Sequence, residues 1–278
     1  MDAPPASEAP VGLIGGSGLE AFVTDGERRT LETPWGSPSG PVVLGRLGET
    51  PIAFVSRHGL HHRIPPHRVP YRANLAALAS LGVRRVIASS AVGSLRRDIP
   101  PGSVVVPDQL VDRTAGRERT IFDGPEVVHV SLADPYCPTL SASLARSAER
   151  AGRSPVVGGT VVVIEGPRFS TRAESRWFRR MGWDLVNMTQ LPEASIAREL
   201  GLCYGTLALV TDFDTGVEDD ASGEAVTAIV VAEVMARLGD DARAVIEGAV
   251  AEVAAEGQRG CSCAGAALLG RMDTPEEH

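Results

Sequence analysis

The stretch from Thr160 to Thr189 limits the fold more than any other. The run Thr160-Val161-Val162-Val163-Ile164 reads as a buried strand and stops at the loop Glu165-Gly166-Pro167-Arg168-Phe169-Ser170. Thr171 and Glu174 stand at capping-box spacing, so a helix follows. Ala173, Trp177 and Met181 recur along it at helical spacing, and Gly182 sits where helices stop. A second apolar run, Asp184-Leu185-Val186, ends in Asn187-Met188-Thr189 before Pro192 opens another helix. The first strand end offers an acid, an arginine, an aromatic ring and a hydroxyl; the next offers an amide, a thioether and a hydroxyl. The pattern points to a small-molecule site written across two adjacent strand ends.

The same alternation runs through the chain. Strands are expected at 11–14, 42–47, 52–56, 85–90, 104–106 and 204–210, and helices at about 71–81, 139–151 and 224–256. Residues 24–41 and 112–126 read as hairpin or loop. No internal repeat or linker marks a boundary. The reading is an α/β fold: a single domain, residues 11–270, with a central mixed β-sheet flanked by helices. A proline-containing disordered arm (1–10) precedes it and a polar tail (271–278) follows. In such sheets ligands bind beyond the carboxyl ends of the strands. Here strand after strand ends in polar groups: Ser17, Arg57-His58, Ser90, Arg168 to Ser170, Asn187 to Thr189, and Asp212 to Asp214.

Charge narrows the partners. The formal net charge is −8, which opposes binding to nucleic acid or to an anionic membrane, since both need a basic face. No apolar run reaches the length of a bilayer span, and the first residues lack a basic and an apolar leader segment, so the expected compartment is the cytoplasm. Cys137, Cys203, Cys261 and Cys263 are expected as free thiols there. Cys261-Ser262-Cys263 has no second Cys or His pair near it in sequence, which argues against zinc.

Each strand end has a chemical reading and a plainer one. Gly15-Gly16-Ser17-Gly18 suits an anion, because glycine lets backbone N–H groups approach an oxyanion; alone, it is a turn. Arg57-His58 suits phosphate, or Arg57 pairs with a carboxylate. His58, His61, His62 and His67 could suggest a metal, but Arg57, Arg63 and Arg68 are interspersed and that loop has no carboxylate. Ser90 and Thr189 supply hydroxyls, Phe169 and Met188 apolar surface, and Glu165 and Arg168 form a pair with each other. Asp212-Phe213-Asp214 is the sharpest element. Alternation puts both carboxylates on one side, and two like charges at a buried strand end raise the pKa of one.

In this order, Gly15 to Leu19, Ser56-Arg57-His58-Gly59, Tyr71-Arg72-Ala73-Asn74, Glu165 to Ser170, Asn187-Met188-Thr189 with Pro192-Glu193, and Thr211 to Asp214 resemble the purine nucleoside phosphorylase superfamily, specifically its 5′-methylthioadenosine phosphorylases. The collinear match spans about residues 11 to 250. The resemblance implies phosphate binding at Ser17, Arg57, His58, Ser90 and Thr189. It implies ribose contact at Met188 with Asn187 beside it, and a base pocket at Phe169 and Ser170. Asp212 and Asp214 match the acids that hold purine N7 and the 6-amino group. His129 matches a residue lent across a subunit interface to the 5′ pocket, in a trimer or a dimer of trimers. Cysteines at these positions resemble those of archaeal members, where they form disulfides.

The implied reaction is phosphorolysis of 5′-methylthioadenosine, a step of purine and methionine salvage, with inorganic phosphate as co-substrate and neither cofactor nor metal. Acids at both base positions favour adenine over a 6-oxopurine, whose O6 asks for a donor such as asparagine. The 5′ group is the least fixed part, and Ala228, Val231 and Ala232 are its candidate contacts. A 5′-deoxy or 5′-halo adenosine, methylthioinosine or inosine, and a non-catalytic nucleoside sensor are the alternatives.

Overall fold

The computed structural model describes residues 10–16, 26–215, 226–256 and 260–271. Ser17 and almost all of the expected N-terminal arm and C-terminal tail lie outside them. The strands are β1 (Val11–Gly15), β2 (Glu27–Arg29), β3 (Val42–Leu47), β4 (Thr50–Ser56), β5 (Arg85–Ser94), β6 (Val104–Val106), β7 (Gln109–Arg113), β8 (Val156–Val157), β9 (Thr160–Ile164), β10 (Leu185–Asn187) and β11 (Cys203–Phe213). The helices are α1 (Tyr71–Ser80), α2 (Pro138–Arg150), α3 (Arg172–Arg180), α4 (Gln190–Glu199), α5 (Ala228–Ala255) and α6 (Ala266–Gly270).

One mixed sheet runs β2-β3-β4-β1-β5-β10-β9-β7, with β11 joining β5 to β6 and β8. β5 is its hub. Its first half pairs in parallel with β1, its whole length pairs with β11, and Gly93 and Ser94 pair antiparallel with β10. Period-2 alternation divides the apolar load between the faces. Leu13, Ile87, Leu207 and Leu209 pack with α2 and α5 on one face. Ile14, Val86, Ala88 and Tyr204 pack with α1 and α4 on the other. Leu75 and Leu78 of α1 are fully buried, which is worth about 1.5–3 kcal/mol for each side chain. Sheltered on both faces, the strands hold their carboxyl ends in fixed register.

The structure alters four expectations. β5 continues past Ser90 to Ser94, since β11 and β10 supply partners there. Inside the expected 24–41 segment, 27–29 pairs with β3, and β7, whose last two residues reach into the expected 112–126 loop, pairs with β9. The capping box at Thr171 and Glu174 is present, but Trp177 and Met181 are exposed while Ser175 and Phe178 face inward. Finally, Glu165 and Arg168 do not pair: Glu165 meets Arg117, and Arg168 meets Glu174.

Candidate active site

The ends of β1, β4, β9, β10 and β11 and the middle of β5 open onto one cavity of about 590 Å³. Arg57, His58, Ser90, Phe169, Ser170, Asn187, Met188, Thr189, Asp212 and Asp214 all line it, as do Ala228, Val231 and Ala232. His129 does not. It lies exposed on the surface, its backbone N–H bonded to the Gly270 carbonyl.

At one end, Arg57 is 1 % exposed and held by a fully buried carboxylate. Its Nε–H and an Nη2–H donate to Glu193 at 2.7 and 2.8 Å, and an Nη1–H donates to the Ser89 carbonyl at 2.8 Å. Glu193 is fixed in turn by the Tyr204 hydroxyl at 2.7 Å. Burial pulls the Arg57 pKa down, but the Glu193 charge more than offsets it, and the net direction is up. A guanidinium has five N–H donors; three are spent, so among the described residues two remain for a ligand. Gly16 lies close above: a Cβ there would meet Arg57 Nη1 at 2.9 Å. The carboxylate pairing is therefore present, and that partner fixes the direction of the guanidinium.

His58 is pushed down to about 3 by burial, then by the Arg57 charge, so its ring is neutral at physiological pH. Nδ1 lies 2.8 Å from the Ile64 carbonyl. A carbonyl only accepts, so Nδ1 carries the proton and Nε2 is left as an acceptor. With Arg57 matched by Glu193, this end offers directed donors rather than surplus charge.

The Asn187 amide is occupied. Its oxygen accepts from the Thr189 and Gln190 backbone N–H groups at 2.6 and 2.8 Å, and its NH₂ reaches the Ala91 carbonyl at 3.2 Å. Asn187 thus shapes the turn that presents Met188 and Thr189. A Cβ at Gly166, where φ is +65°, would meet Met188 Sδ at 2.6 Å, so the glycine makes room for the thioether.

At the other end, a bulge in β11 between Val210 and Asp212 shifts the pairing with β5 and turns Asp212 over Gly93. A Cβ on Gly93 would lie 2.9 Å from Asp212 Oδ1 and 3.5 Å from Asp214 Cβ, so both acids do occupy one side. Burial lifts Asp212 to about 6, the Thr211 hydroxyl at 2.7 Å works against this, and Asp214 adds to it. Asp214 is raised by burial too, offset by the Ser175 and Ser170 side chains beside it. Ser90 Oγ, Ser170 Oγ and Asp214 Oδ2 are buried with no hydrogen-bond partner. Orphans of this kind are rare, and these three all belong to cavity-lining residues.

Two supporting residues escaped the sequence reading. Glu193 stood in a motif without a role, and the signal for it was an acid just after Pro192 in an otherwise buried helix. Arg117 lies in the loop after β7, donating to the carbonyls of Glu165 and Leu191 at 2.6 Å and to the Glu165 carboxylate at 3.1 Å. It ties the loop after β9 to the start of α4, and nothing local in the sequence marks it.

A family model described as the phosphorylase superfamily matches residues 10–251. A Streptomyces coelicolor protein named purine nucleoside phosphorylase is 50 % identical over 96 % of both chains. A Mycolicibacterium smegmatis S-methyl-5′-thioadenosine phosphorylase is 58 % identical over 75 % of this chain and 78 % of its own. The Schistosoma mansoni methylthioadenosine phosphorylase, solved with adenine, superposes with a TM-score of 0.89 at 35 % identity, covering 96 % of this chain and 100 % of that one. Fold, cavity and kinship agree: the chain belongs to the phosphorylase superfamily, on the branch of the S-methyl-5′-thioadenosine phosphorylases.

Proposed function

We propose that the protein cleaves 5′-methylthioadenosine with inorganic phosphate, giving adenine and 5-methylthioribose 1-phosphate. The observation that carries this is one cavity lined by the Glu193-aimed Arg57 and by Ser90 at one end, and at its other end by two acids, the half-buried Asp212 and the buried Asp214. Arg57, Ser90 and Thr189 donate to phosphate, as does Ser17, and His58 Nε2 accepts a hydrogen bond from the P–OH of hydrogen phosphate. The C1′–N9 bond breaks while a phosphate oxygen bonds to C1′, and the phosphate charge stabilises the oxocarbenium-like sugar. The departing electron pair flows into adenine, and Asp212 delivers a proton to N7. The orphaned Asp214 Oδ2 accepts from the 6-amino group, with Ser170 beside it. Met188 lies against the ribose, Phe169 against the base, and Ala228, Val231 and Ala232 form an apolar wall for the methylthio group. No cofactor or metal enters the reaction.

The test is to supply protein, phosphate and methylthioadenosine and to assay free adenine. Equal release without phosphate, or none with it, overturns the proposal. A second reading is cleavage of 6-oxopurine nucleosides, since the Streptomyces relative is named for purine nucleosides in general. The two acids oppose it, because a 6-oxo group offers them no proton. Comparing kcat/KM for methylthioadenosine with that for inosine decides. The unit, residues 11–270, works as a homotrimer or a dimer of trimers in the cytoplasm, with His129 completing a neighbour's 5′ pocket. Its surface position beside Gly270 leaves it available for that.

A further inference from the structure

All four cysteines of the chain come together. Cys137 precedes α2, Cys203 opens β11, and Cys261 and Cys263 follow α5, yet their sulfurs lie within 4.8 Å of one another. The sequence argument against zinc rested on Cys261 and Cys263 having no second pair nearby; the fold supplies that pair. All four are free thiols, three fully buried and Cys261 half-buried.

The convergence is built by backbone contacts. The Cys137 N–H donates to the Tyr204 carbonyl at 2.8 Å, fixing the start of α2 against the start of β11. The turn at Cys263 lies against Gly201, where φ is +65° and a Cβ would meet the Ala264 carbonyl oxygen at 3.0 Å. Three separate segments thus deliver four soft ligands to one point.

We propose that Cys137, Cys203, Cys261 and Cys263 bind one zinc ion as a structural tetrathiolate site. Zinc–sulfur bonds of about 2.3 Å place tetrahedral sulfurs about 3.8 Å apart, inside the observed spread. Four sulfur donors at tetrahedral separation suit zinc. On binding, each thiol gives up its proton and its sulfur donates an electron pair to the metal, so nothing is oxidised or reduced. Four thiolates around a dication carry a net charge of −2. Arg198 offsets part of it, donating from Nη1 to Cys263 Sγ at 3.4 Å, and Arg85 lines the adjoining crevice. The site lies at the amino end of β11 and Asp212 near its carboxyl end, about 30 Å away along the strand. The ion would clamp α2, β11 and the segment after α5 without touching the reaction.

The test uses the full chain, purified with reductant and without chelator. Elemental analysis should find one zinc per chain, released stoichiometrically by an organomercurial and detected with a chromophoric chelator. Cobalt exchanged into the site should show the visible bands of a tetrahedral tetrathiolate. Cys261→Ser, the least buried of the four positions, should lower zinc affinity more than about tenfold, since even outer partners of metal ligands are worth 10–100-fold. It should also lower the melting temperature while leaving kcat unchanged. Protein that holds no zinc after incubation with zinc and reductant overturns the proposal. So does iron in place of zinc, or a metal-free chain four hydrogens lighter, which would mean two disulfides.

Discussion

Replacing Asp212 with asparagine separates the electrostatic cost of this acid from its chemistry. Its carboxyl sits at about 6 instead of the ordinary 3.8, chiefly because burial strips water from the charged form. That difference, taken at 1.36 kcal/mol per unit, is about 3 kcal/mol of penalty on the ionised group. The sign follows from a folded value above the unfolded one. The neutral carboxyl's advantage is complete below 3.8 and is lost as pH rises through about 6. The uncharged Asp212→Asn variant therefore gains on the parent as pH rises. The two should be nearly equal near pH 4, and the variant ahead by up to about 3 kcal/mol above pH 7. Urea unfolding across that range measures this directly. In parallel, kcat/KM for methylthioadenosine should fall in the parent as pH rises through about 6, and the variant should lose both that limb and most of its rate. A stability gap that does not change with pH would refute the assigned burial penalty. A surviving alkaline limb in the variant would refute Asp212 as the proton donor.

Other substitutions probe the rest of the cavity. Ser90→Ala removes a buried hydroxyl that has no protein partner; stability should stay within about 0.5 kcal/mol of the parent while the KM for phosphate rises, as melts and initial rates would show. Glu193→Gln leaves Arg57 buried without its counter-ion; denaturant titration should show a loss of about 3–5 kcal/mol, with weaker phosphate binding in whatever remains folded. Gly93→Ala puts a methyl group 2.9 Å from Asp212 Oδ1; kcat/KM should collapse while far-ultraviolet circular dichroism stays unchanged.

The parts of the site legible in the sequence were those written locally. A strand that stops at Asp212-Phe213-Asp214 shows its acids to any reader, because side-chain alternation is a property of the chain itself. The same holds for Arg57-His58 at the end of β4 and for the Thr171–Glu174 capping box. What stayed hidden is what distant segments do to one another. Glu193 grips Arg57 from 136 positions away, Arg117 reaches the Glu165 carbonyl across 48, and the cysteines meet from three segments. None of these has a local period or spacing. The face of α3 was misjudged for a related reason. Trp177 and Met181 are apolar at helical spacing, but the sheet presses on Phe178, and Trp177 is left outside under the Arg113 guanidinium, 4.8 Å from its ring centre. Periodicity shows that a helix has a face; only its neighbours decide which face is buried. In this chain the groups that touch substrate sit at strand ends and can be read one strand at a time. The groups that aim them can be read only after folding, because their role consists of the contact itself.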